Sequence, residues 1–231
     1  MKKILAFGAH PDDVEFGCGG LLIKEIQNGN RVMIVVTSLG EAGTNGTPAS
    51  RKKEAINSAK LMGAEIEFIN LGGDCHIEKN TKNTLKLAEM IRKYKPNVVL
   101  VTSQTDNQHP DHKNLSDMVR DASRFARYGG LKEIKKYTTH NIDGLYYYQS
   151  SAEIDEKPDI VIDVTDQYEA WAQSMSMHKS QMQTRSYINL VTSKAKAIGA
   201  SIGVEYATGL WANDPIRIES FSDFKNSSRN Y

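Results

Sequence analysis

Ile4–Asp13, ILAFGAHPDD, decides how this chain is read. Its apolar run, Ile4–Ala9, is too short for a helix and shows no alternation, the pattern of a strand buried on both faces of a parallel sheet. The run stops at His10-Pro11-Asp12-Asp13, so four chemistry-bearing or rigid residues crowd one strand end. Arg31–Ser38 (RVMIVVTS), Glu65–Asn70 (EIEFIN) and Asn97–Thr102 (NVVLVT) read as further buried strands. Helical patterns at Val14–Gln27, Ser50–Met62 and Thr81–Tyr94 alternate with them. That alternation predicts βαβ units with right-handed crossovers and a mostly parallel sheet. In the common doubly wound order 3-2-1-4, the first and fourth strands are neighbours, and ligands bind beyond their carboxyl ends.

The tripeptide returns just past the fourth strand as His109-Pro110-Asp111-His112. One His-Pro-Asp is an ordinary turn; two, each with a further ligand-type residue, at neighbouring strand ends are a candidate metal site. His10 and Asp13 are three residues apart, a spacing that lets one turn aim both at a single ion, and His112 closes the set from the other loop. Three protein ligands with one open position describe catalytic zinc. Magnesium, which prefers oxygen ligands, suits the set less well.

Beyond Gly129-Gly130 the alternation weakens. Gly144–Gln149 and Asp159–Asp163 read as strands, Gln167–Gln181 and Tyr187–Ile198 as helices, and Ser220–Tyr231 as a polar tail. The fold class is therefore α/β: a Rossmann-like three-layer fold with a C-terminal α/β elaboration, in a single domain over residues 1–231.

With Ala9–Asp13 (AHPDD) and His109–His112 (HPDH) in place, the chain resembles the PIG-L/LmbE-like zinc-dependent N-deacetylases. Lys179-Ser180-Gln181 and Gly203–Ala207 (GVEYA) look most like the bacterial subgroup of the bacillithiol-pathway deacetylase. Asn107 departs from the acid often found two residues before the first histidine of the second motif. The resemblance implies His10, Asp13 and His112 as ligands of Zn2+, Asp12 as general base on the attacking water, and His109, backed by Asp111, as helper of the leaving group. It implies a tyrosine near the oxyanion, with Tyr187 a better match than Tyr206 and packing the alternative for each. It also implies a substrate carrying N-acetylglucosamine and a homo-oligomeric assembly. Amide hydrolysis needs both a base for water and an acid for the departing amine, and these residue types supply them.

Other readings compete. Asp12, Asp13 and Asp111 are each suited to capping a helix. Gly17-Cys18-Gly19-Gly20 invites a Rossmann-type nucleotide-binding enzyme, but Leu22 occupies the third glycine position and the run starts well after the strand. Close helix–sheet packing accounts for these glycines, and Cys18 reads as a small buried residue. A non-catalytic metal- or sugar-binding module would keep the ligands without needing Asp12 or His109. His76, His140 and His178 read as solvent-facing or structural, and no role is assigned to Cys75. Ser50 reads as a helix cap, placing Arg51 at the site's edge beyond the loop Gly40–Ala49; it matches a substrate-binding arginine of the family. There it is expected to grip an anionic group such as a malate carboxylate.

The formal net charge of +1, from 29 basic and 28 acidic side chains, offers no basic face for nucleic acid. No apolar stretch is long enough for a membrane span or a signal-peptide core. Two isolated cysteines form no CxxC pair, which points to a cytoplasmic protein; the resemblance implies that its partner is a small amino-sugar.

Overall fold

The computed structural model describes residues 1–103, 109–150, 157–183 and 185–220. Asn107 and most of the polar tail lie outside the described residues. Strands β1 (Lys3–Gly8), β2 (Arg31–Val36), β3 (Glu65–Phe68) and β4 (Val98–Thr102) alternate with helices α1 (Asp13–Gln27), α2 (Pro48–Met62) and α3 (Thr81–Tyr94). Helix α4 (Pro110–Phe125) leads to β5 (Gly144–Tyr148) and β6 (Ile160–Asp163). Helices α5 (Tyr168–Ser176) and α6 (Tyr187–Ala200) precede β7 (Ala207–Ala212).

The sheet order is β3-β2-β1-β4-β5-β7-β6. The first five of these strands are mutually parallel; β7 runs antiparallel to both β5 and β6. Side chains of β1 and β2 alternate between two cores: Ile4, Ala6, Val32 and Ile34 face one, Leu5, Phe7, Met33 and Val35 the other. That two-sided burial is why these strands read as unbroken apolar runs. Helices α1, α2, α5 and α6 cover the first face, α3 and α4 the second.

The glycines of α1 serve packing. The Tyr148 ring lies where a side chain on Gly17 would go, and a Cβ on Gly20 would sit 2.9 Å from the Trp171 ring. Trp171 Nε1 donates to the Glu15 carbonyl at 2.7 Å, and the helix is kinked at Cys18, which is fully buried.

Besides shifts of one or two residues at element ends, a helix cap, a helix end and one strand differ from the sequence reading. Helix α2 starts at Pro48, because Thr47, not Ser50, is its cap: the two form a reciprocal capping box. Helix α5 stops at Ser176, where the backbone turns towards His178, so the expected helix to Gln181 is short. Strand β7, ATGLWA, has no counterpart in the sequence pattern; its small residues carry little strand propensity, and pairing between β5 and β6 makes it a strand.

Candidate active site

Strands β1 and β4 pair side by side, so their following segments meet at the switch point. Beyond β1 the chain turns sharply at Asp12, whose φ of 115° is strained for a residue with a side chain; such conformations cost on the order of 1–3 kcal/mol. The turn sends the two carboxylates to different tasks. Asp13 opens α1, and its Oδ2 accepts the His10 backbone N–H at 2.9 Å. Asp12 is buried, makes no capping hydrogen bond and lies 3.5 Å from Arg51 Nη2. The helix-cap reading of Asp12 therefore falls away.

Donor atoms of His10, Asp13 and His112 all lie within 4.8 Å of one another, and the three residues are buried. Asp13 Oδ1 is 3.1 Å from His112 Nε2, and Asp13 Oδ2 is 3.5 Å from His10 Nδ1. Thr102, at the end of β4, donates its hydroxyl to the His112 carbonyl at 3.0 Å, fixing the start of α4 to the sheet. His10 Nε2 faces Asp74 Oδ1 at 3.1 Å and Asp111 Oδ2 at 3.2 Å. A nitrogen between two carboxylates holds the ring proton, which leaves the Nδ1 lone pair for an ion.

His109 caps α4: its Nδ1 accepts the Asp111 backbone N–H at 3.2 Å, so in the neutral ring Nε2 carries the proton. The Asp111 carboxylate is 3.8 Å from His109 Nδ1 and closer to His10, so it backs His10 more tightly than His109.

The electrostatics suit a cation. Burial works against a charge on His10, but Asp13, Asp111 and Asp74 overcome it and push the ring up to about 12. Burial and the neighbouring Asp13 raise Asp12 to about 7, against the pull of Arg51 and His178. Asp13 is held well below the usual carboxylate range: burial opposes this, but His112 and His10 prevail. Partial burial and the charge of His10 hold His109 below an ordinary histidine. A cluster whose ionised carboxylates stabilise a positive charge on His10 this firmly has the charge and the mixed N/O donors to hold a divalent metal.

Two residues of the site escape the sequence reading. Asp74 and Cys75 follow β3 in a loop turned by Gly72 and Gly73 at φ 135° and 99°. Cys75 donates its backbone N–H to Asp111 at 2.8 Å. The available signal is positional: Asp74-Cys75-His76 follows the third strand at the same carboxyl edge.

His10, Asp12, Asp13, Asp74, His109 and His112 border one cavity of about 270 Å³, together with Cys75, Arg51 and Tyr187; Asp111 lies behind His10, off the cavity wall. A larger cavity, about 500 Å³, lies by Arg120, Arg124 and Gly144 and contains none of them; chemistry rather than volume locates the site. Tyr187 stacks on Phe16, whereas Tyr206 stacks on Tyr168 away from the cavity. Arg51 is buried and already engaged: Nη1 donates to the Gly40 carbonyl at 3.0 Å, and Nη2 to that of Pro11 at 3.1 Å. The anion grip expected of it therefore meets a guanidinium that ties the Gly40 loop to the turn bearing Asp12. His178 is fully buried, with Nε2 3.2 Å from Glu15 Oε1, and is not on the cavity wall.

A doubly wound sheet with a buried His–Asp donor set and a separate carboxylate at its switch point defines a Rossmann-like α/β protein with a candidate metal site. The chain belongs to the PIG-L family, GlcNAc-PI de-N-acetylase, whose profile matches residues 5–123, and it is a hydrolytic N-deacetylase. It is 25% identical to diacetylchitobiose deacetylase of Thermococcus kodakarensis over 78% of this chain and 70% of the relative. It is equally identical to 4-oxalmesaconate hydratase of Pseudomonas putida, over 71% and 68%. A probable N-acetyl-alpha-D-glucosaminyl L-malate deacetylase of Bacillus subtilis is 25% identical over 79% and 85%. A conserved protein of Thermus thermophilus superposes with a TM-score of 0.85 at 25% identity, covering 95% of this chain and 98% of that one. Among the described residues no helix is long and apolar enough to cross a membrane.

Proposed function

We propose that the chain removes the N-acetyl group from a small N-acetylglucosamine-type substrate, with zinc held by His10, Asp13 and His112. The observation that carries this is the separation of roles at one point: three buried donors within 4.8 Å, and Asp12 outside that set but on the wall of the same cavity. A zinc ion in such a site polarises a carbonyl and lowers the pKa of bound water from about 16 to about 7; iron would fit the same donors.

Asp12, poised near neutrality, takes the proton of the attacking water. Arg51 holds Asp12 in place and favours its ionised form. His109, with Nε2–H turned towards Asp74 and Cys75, donates to the developing oxyanion or to the departing amine. Tyr187, on the cavity rim, is the aromatic wall against which a sugar ring packs. Asp111 and Asp74 orient His10 through its Nε2–H.

The reading is tested by measuring metal content together with acetate release from diacetylchitobiose and from an N-acetylglucosaminyl malate. Zinc-dependent acetate release supports it; a zinc-loaded protein that releases none from either substrate overturns it. Arg51 is the only arginine or lysine among the described residues of the cavity wall, and its Nη atoms are engaged, so the neutral substrate should be turned over at least as well as the acidic one. The hydratase relative supports a second reading, addition of water to an unsaturated acid. An uncommitted cation would be needed for that carboxylate, which makes it the weaker reading. The two unpaired cysteines fit a reducing compartment, and the family resemblance supports a homo-oligomer of single-domain chains, which sedimentation would test.

A further inference from the structure

Beside the ligand set, the cavity wall carries a second group of donors with a different chemistry. His109 Nε2, Cys75 Sγ and Asp74 Oδ1 form a triangle with all three sides 3.6 Å. Sulfur at about 2.3 Å and nitrogen or oxygen at about 2.0–2.1 Å from a tetrahedral zinc lie roughly 3.3–3.6 Å apart. The triangle therefore has the edge lengths of three ligands on one ion. Its members also border a wider group, since donor atoms of His10, Asp74, His109 and Asp111 lie within 4.8 Å of one another. Thiolate, imidazole and carboxylate together favour zinc over magnesium or calcium.

We propose that His109, Cys75 and Asp74 form a second zinc site, and that filling it arrests the enzyme by occupying His109. The inference rests on the N-deacetylase reading, in which His109 Nε2 is the proton donor. Zinc at Nε2 and at Sγ displaces one proton from each. The ring retains one proton by taking it on Nδ1, 3.8 Å from Asp111 Oδ2, and the thiol proton leaves to solvent. The Asp111 N–H to Nδ1 hydrogen bond is given up in exchange. Asp74 meanwhile remains shared with His10 Nε2 at 3.1 Å. Both features make this site weaker than the one formed by His10, Asp13 and His112. His109, Cys75 and Asp74 all line the cavity, so an ion bound by them would also stand in the substrate's way. Two anionic ligands balance the charge of the ion, which is why Cys75 matters: an apolar residue there would leave only His109 and Asp74.

The test starts from protein carrying one equivalent of its first metal ion and titrates in a second ion by equilibrium dialysis. Wild type should take up a second equivalent of zinc while acetate release falls in step. With cobalt it should develop a near-ultraviolet thiolate-to-cobalt charge-transfer band. Cys75→Ala should bind one equivalent, show no band, and need at least tenfold more zinc for half-inhibition. In wild type, zinc should shield Cys75 from iodoacetamide; Cys18 is fully buried and does not confuse the readout. His112→Ala should lose the first ion and activity yet retain the cobalt band, which separates failure of the N-deacetylase reading from failure of this one. A wild-type protein that stops at one equivalent with no band overturns the second site, and so does a Cys75→Ala variant inhibited at the wild-type zinc concentration.

Discussion

The two His-Pro-Asp segments spell the same tripeptide and do opposite things. In the first, His10 belongs to the buried donor set and Asp12 stands apart; in the second, His109 stands apart from that set, and only the fourth residue, His112, belongs to it, as Asp13 does in the first. The difference is where the helix begins. Helix α4 starts immediately at Pro110, so His109 becomes its cap and His112 is carried inward in the first turn. After Pro11 the chain first passes through the left-handed turn at Asp12, and α1 starts only at Asp13. A short motif names the chemistry available, but the helix start assigns the roles.

Breaking the ligand half of this comparison should give the largest effect. His10→Ala and His112→Ala should each lose metal and essentially all acetate release, measured by elemental analysis and assay. His109→Ala should keep its first metal ion and lose only rate; metal loss there would mean that the two segments share one role.

Asp12→Asn should retain metal and lose about 10²–10⁴-fold in kcat, the usual range for a general base. Asp111→Asn acts through His10 instead, and should weaken metal affinity by roughly 10–100-fold while sparing kcat at saturating metal. The same effect from both variants would erase the distinction between the two aspartates.

Arg51→Ala sharpens the picture of Asp12. Asp12 acts as a base only when ionised, so kcat/KM falls as pH drops through its pKa. Arg51 and His178 pull that pKa down from what burial alone would set, and a bound cation would add to the pull. Removing Arg51 should move the acidic limb to higher pH and lower kcat by about tenfold on neutral and acidic substrates alike, the effect of losing one close buried cation beside Asp12. A KM effect confined to the acidic substrate would restore the anion-gripping role.

The smallest effect lies away from the chemistry. A Cβ on Gly20 would meet Trp171 at 2.9 Å and Val164 at 3.3 Å. Overpacking of this kind costs about 1–3 kcal/mol, against which alanine recovers about 1 kcal/mol of helix propensity. Urea unfolding should show a net loss in stability for Gly20→Ala, with kcat per folded molecule unchanged.

Much of the fold and of the site is legible in the amino-acid order alone. The strands β1 to β4 are buried on both faces, and that burial is written as unbroken apolar runs; the order β3-β2-β1-β4 is the common doubly wound one, which the alternation allows and the structure adopts. The ligand-type residues are legible because they sit in a repeated motif. Asp74 and Cys75 are not, since neither belongs to a repeat and their loop is aimed by two glycines whose φ no side-chain pattern reveals. Strand β7 is hidden because its residues pair well only once β5 and β6 flank it.

By itself the sequence determined which side chains are available at which strand ends, because hydrophobic periodicity and proline act locally. The tertiary structure decided which of them come together as one donor set, which lean on each other and which are spent on the backbone. Arg51 shows why: its sequence position places a charge near the site, but only the fold brings Gly40, Pro11 and Asp12 around that charge. Hydrogen bonds and ion pairs act over a few ångströms, and contacts between residues about 40 positions apart exist only after the chain has closed on itself.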